Sequence, residues 1–417
     1  MQRFLRNLIA SNRRPLRNVL KAPALKYRDF RFLWVSTFFA SVGTMGERVV
    51  LGWLVLELSD SALMVGIAMA LRMAPFFLLG IISGAVADRV DRKHFMRLLN
   101  VGMALSNVGL AVLILLGALQ MWHILLLTFV GGSLRALTLP ARQSFAYDIV
   151  GPRNVVNGLA LAALGMRIGG LVGSLLAGLI LGHFGADVVY MVMAGGSMMA
   201  AIALLPIGSR GQSAPALGHS VWENVKGYVR EGRHNPTLRM LIILTAAVEV
   251  LGFSYQVLLP SLARDILQVG AEGLGVMTGL GSLGGILGIV LISGLGQIRH
   301  KGLLLVGVLH VFGVSITLLA VAGNLAFTLV ILGVVSAMAA LSDILSQSLM
   351  QLAVPNALRG RAMGSWVLAV GVGPLGRVGI GALASAFSVG FALTSSGLAL
   401  VVLALVSAVF FPRLRRL

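Results

Sequence analysis

Hydrophobic positions fall in long unbroken runs along nearly the whole chain, separated by short polar segments. A run of about 20 residues crosses roughly 30 Å of hydrocarbon as a helix. Twelve such runs are predicted, at residues 32–58, 63–87, 95–117, 122–149, 155–181, 188–207, 238–261, 273–296, 302–322, 325–352, 360–387 and 390–411. The runs are continuous rather than alternating, so they predict helices and not barrel strands. A helix also satisfies its backbone groups within itself, as lipid demands. The expected fold class is an all-α integral membrane protein of twelve transmembrane helices.

The longest polar stretch between runs extends from Gly208 to Asn235 and divides the helices six and six. It predicts a basic segment over 1–31, an N-terminal six-helix bundle over 32–207, an interdomain linker over 208–237, a C-terminal six-helix bundle over 238–411 and a basic tail over 412–417. Within the linker, Val221 to Arg230 can form an amphipathic helix along a membrane surface. An internal repeat supports the division. Pro152 is followed by Gly170, Gly173 and Gly178, and Pro355 by Gly373, Gly376 and Gly381, at offsets of 18, 21 and 26 in both. Gln143-Ser144 and Gln347-Ser348 lie upstream, and Ile82-Ser83-Gly84 is echoed by Ile292-Ser293-Gly294. Duplicated six-helix halves are the architecture in which a central site alternates between two faces as one bundle rocks against the other. That geometry points to transport.

Composition excludes the main soluble classes. With 58% hydrophobic and 11% charged residues, the 417-residue chain lacks the polar surface of a soluble fold. The absence of cysteine removes disulfides, CxxC redox pairs and thiolate metal sites. A net charge of +19 would suggest nucleic acid in a soluble domain, but here the bases sit in tails and short connections, so no nucleic-acid partner is expected. Of the 33 lysines and arginines, 27 fall on one predicted face, five lie inside runs, and Arg264 alone falls on the other face. By the positive-inside rule both termini are expected in the cytoplasm, with the protein multi-pass in a cytoplasmic membrane.

The loop between the second and third runs reads Gly84-Ala-Val-Ala-Asp88-Arg89-Val-Asp91-Arg92-Lys93. It resembles the GxxxDRxxRR signature of the major facilitator superfamily. The likeness extends to Phe30-Arg31-Phe32-Leu33-Trp34, Pro140-Ala141-Arg142-Gln143 and Arg359-Gly360-Arg361-Ala362-Met363-Gly364, which together look like the bacterial subfamily of enterobactin exporters and macrolide efflux proteins. The resemblance implies two pseudo-symmetric six-helix bundles and an inner gate made of Asp88, Arg89, Arg92 and Asp148. In that gate Asp88 latches onto the start of helix 11 and Arg92 approaches Asp148. The second half departs from the signature, since Gly294 leads to Arg299, His300 and Lys301 without an acid.

Eight ionisable residues fall inside predicted spans: Glu47, Arg48, Arg72, Arg135, Arg167, Glu249, Asp343 and Arg377. A central charge costs about 3 kcal/mol even on insertion scales, so these groups are expected to face a wet cavity or one another. Helical periodicity puts Thr37, Ser41, Thr44 and Arg48 on one stripe, then Arg135, Thr138 and Arg142, then Thr245, Glu249 and Gln256, then Ser336, Asp343 and Gln347. Helices 1, 4, 7 and 10, which carry these stripes, line the central cavity in the resembled fold. Arg48, Arg135, Thr44, Gln256, Gln347 and Arg377 are accordingly expected to bind substrate, and Asp343, Glu249 and Glu47 to carry protons. Each acid has the alternative role of neutralising a neighbouring arginine, and Glu47 has Arg72 and Arg135 within its choice of partners. Arg167 and Arg377 have packing as an alternative, and Trp53, Met166, Tyr255 and Trp366 read as bundle packing. Five arginines against three acids favour an anionic or zwitterionic ligand.

Two GxGxxG matches, Gly279 to Gly284 and Gly371 to Gly376, lie inside apolar runs without a preceding strand and read as packing glycines. The chain carries no Walker lysine motif, HExxH or serine elbow, so neither an enzyme nor a metal or other cofactor is expected. The expected function is a proton-driven exporter of an amphipathic, anionic small molecule, siderophore-like or drug-like, acting as a monomer among membrane lipids. Uptake of a similar compound and lipid or lysolipid translocation are the alternatives within transport. A membrane enzyme or a signalling scaffold is the alternative outside it.

Overall fold

The structure is a computed structural model that describes residues 23–87, 90–209, 230, 234–294, 300–355 and 358–410. Asp88 and Arg89 of the expected gate, nearly all of the amphipathic linker segment and the basic tail lie outside the described residues. The described residues are helical throughout, with no strand among them. In chain order the helices are α1 (Arg28–Ser59), α2 (Ala62–Ala87), α3 (Arg92–Leu115), α4 (residues 121–150), α5 (residues 152–184), α6 (Ala186–Ile202), α7 (Pro236–Ile266), α8 (Gly270–Gly294), α9 (Lys301–Leu319), α10 (Leu325–Leu352), α11a (Arg359–Val370), α11b (Gly373–Ala386) and α12 (Val389–Phe410). Among the described residues ten helices are long and apolar enough to cross a bilayer, and Ala62–Phe77 and Ala186–Ile202 are shorter apolar helices.

Local chemistry sets the ends. The Asn235 side chain accepts from Leu238 N at 3.0 Å, with Pro236 at the first helical position, so α7 starts there. Asn324 does the same for α10, accepting from Phe327 N at 2.9 Å. At the other end of α1, Asp60 adopts a left-handed conformation (φ 48°) and its N–H closes on the Leu56 carbonyl.

Four spans differ from the expected separate, uniform helices, each for a local reason. The fourth and fifth spans are one helical run, Met121–Phe184, turned back at Gly151 (φ 70°) ahead of Pro152. The seventh is regularly α-helical through Leu251, then passes through a 3-10 turn (Phe253–Val257), a short α-helical piece (Leu259–Ser261) and a π turn (Leu262–Ile266). Pro260 has no N–H to offer the Gln256 carbonyl, so a regular helix cannot continue through this segment. The eleventh breaks between Val370 and Gly373, because Pro374 cannot bond back to Val370.

Helix packing carries the sequence repeat into three dimensions. Gly173 of α5 lies against Val42 of α1, and its repeat mate Gly376 of α11b lies against Val250 and Ser254 of α7. Gly178 of α5 meets Gly275 of α8, and its mate Gly381 meets Ala62 and Leu63 of α2. A β-carbon added at Gly178 would stand 2.6 Å from the Gly275 Cα, and one at Gly381 would stand 2.6 Å from the Ala62 carbonyl oxygen. Only glycine permits approach this close, as small residues do wherever membrane helices touch backbone to backbone. Contacts between the first six helices and the last six are concentrated in these two pairs, α5 with α8 and α2 with α11b.

The end of the molecule at which α1 begins has a smaller core of its own, in which Ala24, Phe30, Met96, Phe145 and Leu204 are buried together. Ala24 N donates to Asn157 Oδ1 at 3.1 Å, and Ser209 N donates to Asp29 at 2.8 Å. These bonds tie the turn before α1 to the first turns of α5, and the start of α1 to the segment that follows α6. The opposite, distal end carries the α1–α2, α5–α6, α7–α8 and α11–α12 turns.

Candidate functional site

Two adjoining cavities open between the helices where the ionisable residues gather. The first, on the α8 side, is walled by α1, α5, α7, α8 and α10, with Met69 of α2 at its edge. It includes Met45, Arg48, Arg167, Tyr255, Gln256, Met277, Thr278, Ser282, Ser336 and Asp343. The second, on the α2 side, is walled by α1, α2, α4, α7, α10 and α11. It includes Arg48, Arg72, Arg135, Glu249, Gln256, Asp343, Trp366 and Arg377. Arg48, Met69, Phe253, Gln256 and Asp343 border both. The Arg48 side chain donates through Nη1 to Gln256 Oε1 at 3.3 Å, a long bond joining α1 to the irregular part of α7 where the cavities meet.

The charges divide into one closed pair and several open groups. Arg72 Nη2 donates to Glu47 Oε2 at 3.1 Å and to the Thr44 carbonyl at 2.7 Å. Glu249 and Asp343 stand in no ion pair within 4.0 Å among the described residues. Glu249 Oε2 and Arg377 Nη1 are both buried without a hydrogen-bond partner. They flank the bare Cα of Gly373, where an added β-carbon would stand 2.5 Å from Arg377 Nη1 and 3.1 Å from Glu249 Oε2. Asp343 interacts with Gln347 one turn along α10 and with Arg167. The Trp366 indole approaches the same carboxylate without closing a hydrogen bond. Unpaired buried polar groups cost free energy and mark places where a ligand, proton or water is expected to act.

The distal end is tied together by side chains as well as by glycine contacts. Arg264 in the π turn of α7 donates to Asp60, to the Leu56 carbonyl at 3.2 Å and to Asp265 at 2.6 Å. His183 of α5 pairs with Glu272 of α8 at 3.2 Å, and Leu63 N donates to Ser385 Oγ at 2.9 Å between α2 and α11b. At the end where α1 begins Arg92, buried, pairs with Asp148 at 2.6 Å. Asp91 caps α3, accepting from Lys93 N and His94 N. Partial burial works against its charge, yet these bonds and the His94 side chain hold its carboxyl below the ordinary carboxylate range.

Residues 21–416 match the Transmembrane secretion effector family. The chain belongs to that family, a branch of the major facilitator superfamily. It is therefore a multi-pass membrane transporter and not an enzyme. This family member is 26% identical over 385 residues to the Enterobactin exporter EntS of Shigella flexneri, covering 89% of this chain and 90% of the relative. It is 24% identical over 261 residues to the Staphyloferrin A transporter of Staphylococcus aureus (strain NCTC 8325 / PS 47), covering 62% of this chain and 65% of the relative. Its fold resembles an inward-facing, unoccupied bacterial homolog of the human lysosomal transporter Spinster (TM-score 0.70, 16% identity, 94% of this chain and 97% of that one). It also resembles a peptide transporter POT in complex with sulfate (TM-score 0.74, 15% identity, 94% and 95%).

Among the residues singled out from sequence, Arg48, Arg135, Gln256, Arg377, Glu249 and Asp343 border the cavities. Thr44 and Gln347 border neither. The Thr44 carbonyl serves Arg72, and Gln347 serves Asp343. Glu47 also borders neither and is closed against Arg72. The expected polar stripe of α1 splits. Thr37 bonds to the Leu33 carbonyl and Ser41 to the Met166 carbonyl of α5, both buried in packing, and only Arg48 reaches the cavities. On α4, Thr138 bonds to the Leu134 carbonyl, and Arg142 is a helical residue with a buried, unpartnered Nε. Tyr255 and Trp366, which read as packing from sequence, form cavity wall, whereas Trp53 and Met166 do not. Pro260 and Pro374 inside apolar runs were the available signal, since Gly- and Pro-interrupted spans point to a transporter's site.

Proposed function

We propose that this protein is a proton-driven exporter of an amphipathic, anionic small molecule, siderophore-like or drug-like. One observation carries the reading. Once Arg72 is neutralised by Glu47, four arginines (Arg48, Arg135, Arg167, Arg377) border the cavities against two carboxylates, Glu249 and Asp343. An excess of two positive charges in a chamber of low dielectric suits an anion, and the planar guanidinium fork matches carboxylate or catecholate oxygens. The names of the enterobactin exporter and the staphyloferrin A transporter support the substrate class, and the first of them supports the direction.

In this mechanism residues 32–207 and 238–411 form two six-helix bundles that rock about the central site, with both termini in the cytoplasm of a bacterial inner membrane. The protein works as a monomer. Arg48, Arg135 and Arg377 hold the anion, with Gln256 beside them. Asp343 and Glu249, which lack close ion-pair partners, exchange protons as access switches. Glu47 leaves this set for a structural one because Arg72 closes on it. Arg92 with Asp148, joined by Asp88 and Arg89, locks the inner gate. The backbone-to-backbone glycine contacts at the distal end support a state closed on that side.

The test is reconstitution in liposomes with pH gradients of either sign and a panel of anionic siderophores, drugs and lysolipids. Gradient-driven movement that Asp343→Asn and Glu249→Gln abolish is the expected result, and movement unchanged in both variants overturns the coupling. Binding of the transported compound unaffected by Arg135→Ala overturns the anion site. Accumulation only under the opposite gradient makes the protein an importer.

A further inference from the structure

The two cavities raise a question about substrate shape that the charge excess alone does not answer. Each has cationic groups the other lacks: Arg167 on the α8 side, Arg135 and Arg377 on the α2 side. They adjoin along a shared wall that includes Arg48, Gln256 and Asp343. The Arg48–Gln256 bond lies in that shared wall, and at 3.3 Å it is long for a hydrogen bond and therefore easily exchanged for an ion pair with an anionic ligand group.

We propose that the cavities are two subsites for one elongated ligand bearing separate anionic groups at its ends. Arg167 takes one end, Arg135 with Arg377 takes the other, and Arg48, released from Gln256, closes on the middle. This rests on the anionic reading above and narrows it from any amphipathic anion to a two-ended one. The backbone of α8 leaves room for the Arg167 guanidinium, whose Nη1 passes over the bare Cα of Gly285, where an added β-carbon would stand 2.6 Å away. Asp343 borders both subsites, faces Arg167, and is the internal carboxylate that the ligand displaces from it.

The experiment uses purified full-length protein and two probe series of matched length, linear alkanoates and α,ω-alkanedioates of eight to twelve carbons, with affinity measured by calorimetry. The dicarboxylate is expected to bind about ten-fold or more tighter than the monocarboxylate of equal length, with an optimum length. Arg167→Gln is expected to erase that advantage, so that the dicarboxylate binds no tighter than the monocarboxylate of equal length. Gly285→Ala, which displaces the guanidinium but keeps its charge, is expected to reduce the advantage as well, and thermal unfolding reports whether either variant is folded. Gln256→Ala is expected to tighten the dicarboxylate a few-fold, because no bond then has to part. Equal affinity for the two series, or an advantage that survives both Arg167→Gln and Gly285→Ala, overturns the two-ended site and leaves the anionic reading standing. Failure of every probe to bind, or binding indifferent to Arg135→Gln, overturns both.

Discussion

Arg72 on α2 and Glu47 on α1 form an ion pair at 3.1 Å with only 5% and 10% of their side chains exposed, and a second Arg72 bond runs to the Thr44 carbonyl at 2.7 Å. Two charges placed so deep are stable only as a pair. Removing one partner from a buried pair leaves an uncompensated charge and costs roughly 3–5 kcal/mol, whereas replacing both by apolar residues of similar volume is often neutral. Glu47→Leu alone is therefore expected to lower the unfolding temperature in detergent markedly, and Glu47→Leu with Arg72→Met to recover most of the loss. If the double variant is as unstable as the single one, the pair does more than balance charge.

Gly178 and Gly275 hold α5 and α8 at backbone contact near the distal end. Backbone cannot yield as a flexible side chain does, so Gly178→Val must force the helices apart. The chain contains no cysteine, so a reporter pair can be installed cleanly at His183 and Glu272, whose side chains meet at 3.2 Å. His183→Cys with Glu272→Cys is expected to crosslink efficiently in the parent and several-fold less with Gly178→Val added. Undiminished crosslinking in a folded variant would mean that the glycine contact does not hold this end closed.

Much of the fold is legible in the sequence because bilayer physics writes it in coarse features. The predicted run at 325–352 coincides with α10, and most other span limits fall within a few residues of the helices found. The glycine repeat is readable too, since Gly178 and Gly381 must be bare for backbones to touch. The site is less legible. Periodicity places Thr37, Ser41, Thr44 and Arg48 on one face of α1, but that face is wide enough to touch α5 along part of its length and the cavities only at Arg48. Short hydroxyl side chains satisfy themselves on nearby carbonyls, which no spacing rule distinguishes from facing a ligand. Tyr255 reads as packing only if it sits on a regular helix. The 3-10 turn that Pro260 imposes turns it into the α8-side cavity wall.

Asp91 gives the protein a pH-dependent cap. Its carboxyl accepts from the N–H groups of Lys93 at 2.9 Å and His94 at 3.3 Å, and its value is lowered from the usual 3.8. A carboxyl that ionises more readily folded than unfolded adds stability above its unfolded value and loses it as pH falls through the folded one. Asp91→Ala is expected to cost about 0.5–2 kcal/mol, as loss of a helix N-cap does, with little change from pH 7 to pH 5. The difference between parent and variant should shrink only below about pH 4. Thermal unfolding of both proteins across that range checks it, and a difference that vanishes already at pH 5–6 would assign the effect to another group.

Arg264 is the one basic residue that the sequence sets apart from all the others, and in the fold it is the distal tie between α7 and α1. Its guanidinium reaches Asp60 and the Leu56 carbonyl at the C-terminal end of α1, where a cation is favoured by the helix dipole. With 28% of the Arg264 side chain exposed, the pair itself adds little to global stability, so its removal should affect opening more than folding. Arg264→Ala is expected to raise the rate at which a membrane-impermeant maleimide, added from the distal side, labels a cysteine placed at Met277 on the cavity wall. The unfolding temperature should move by only a few degrees. The charge swap Asp60→Arg with Arg264→Asp should restore part of the protection by the pair attraction, but not all, since an aspartate cannot donate to the Leu56 carbonyl. Labelling equally slow in the parent and in Arg264→Ala would show that the glycine contacts keep the distal end shut without this arginine.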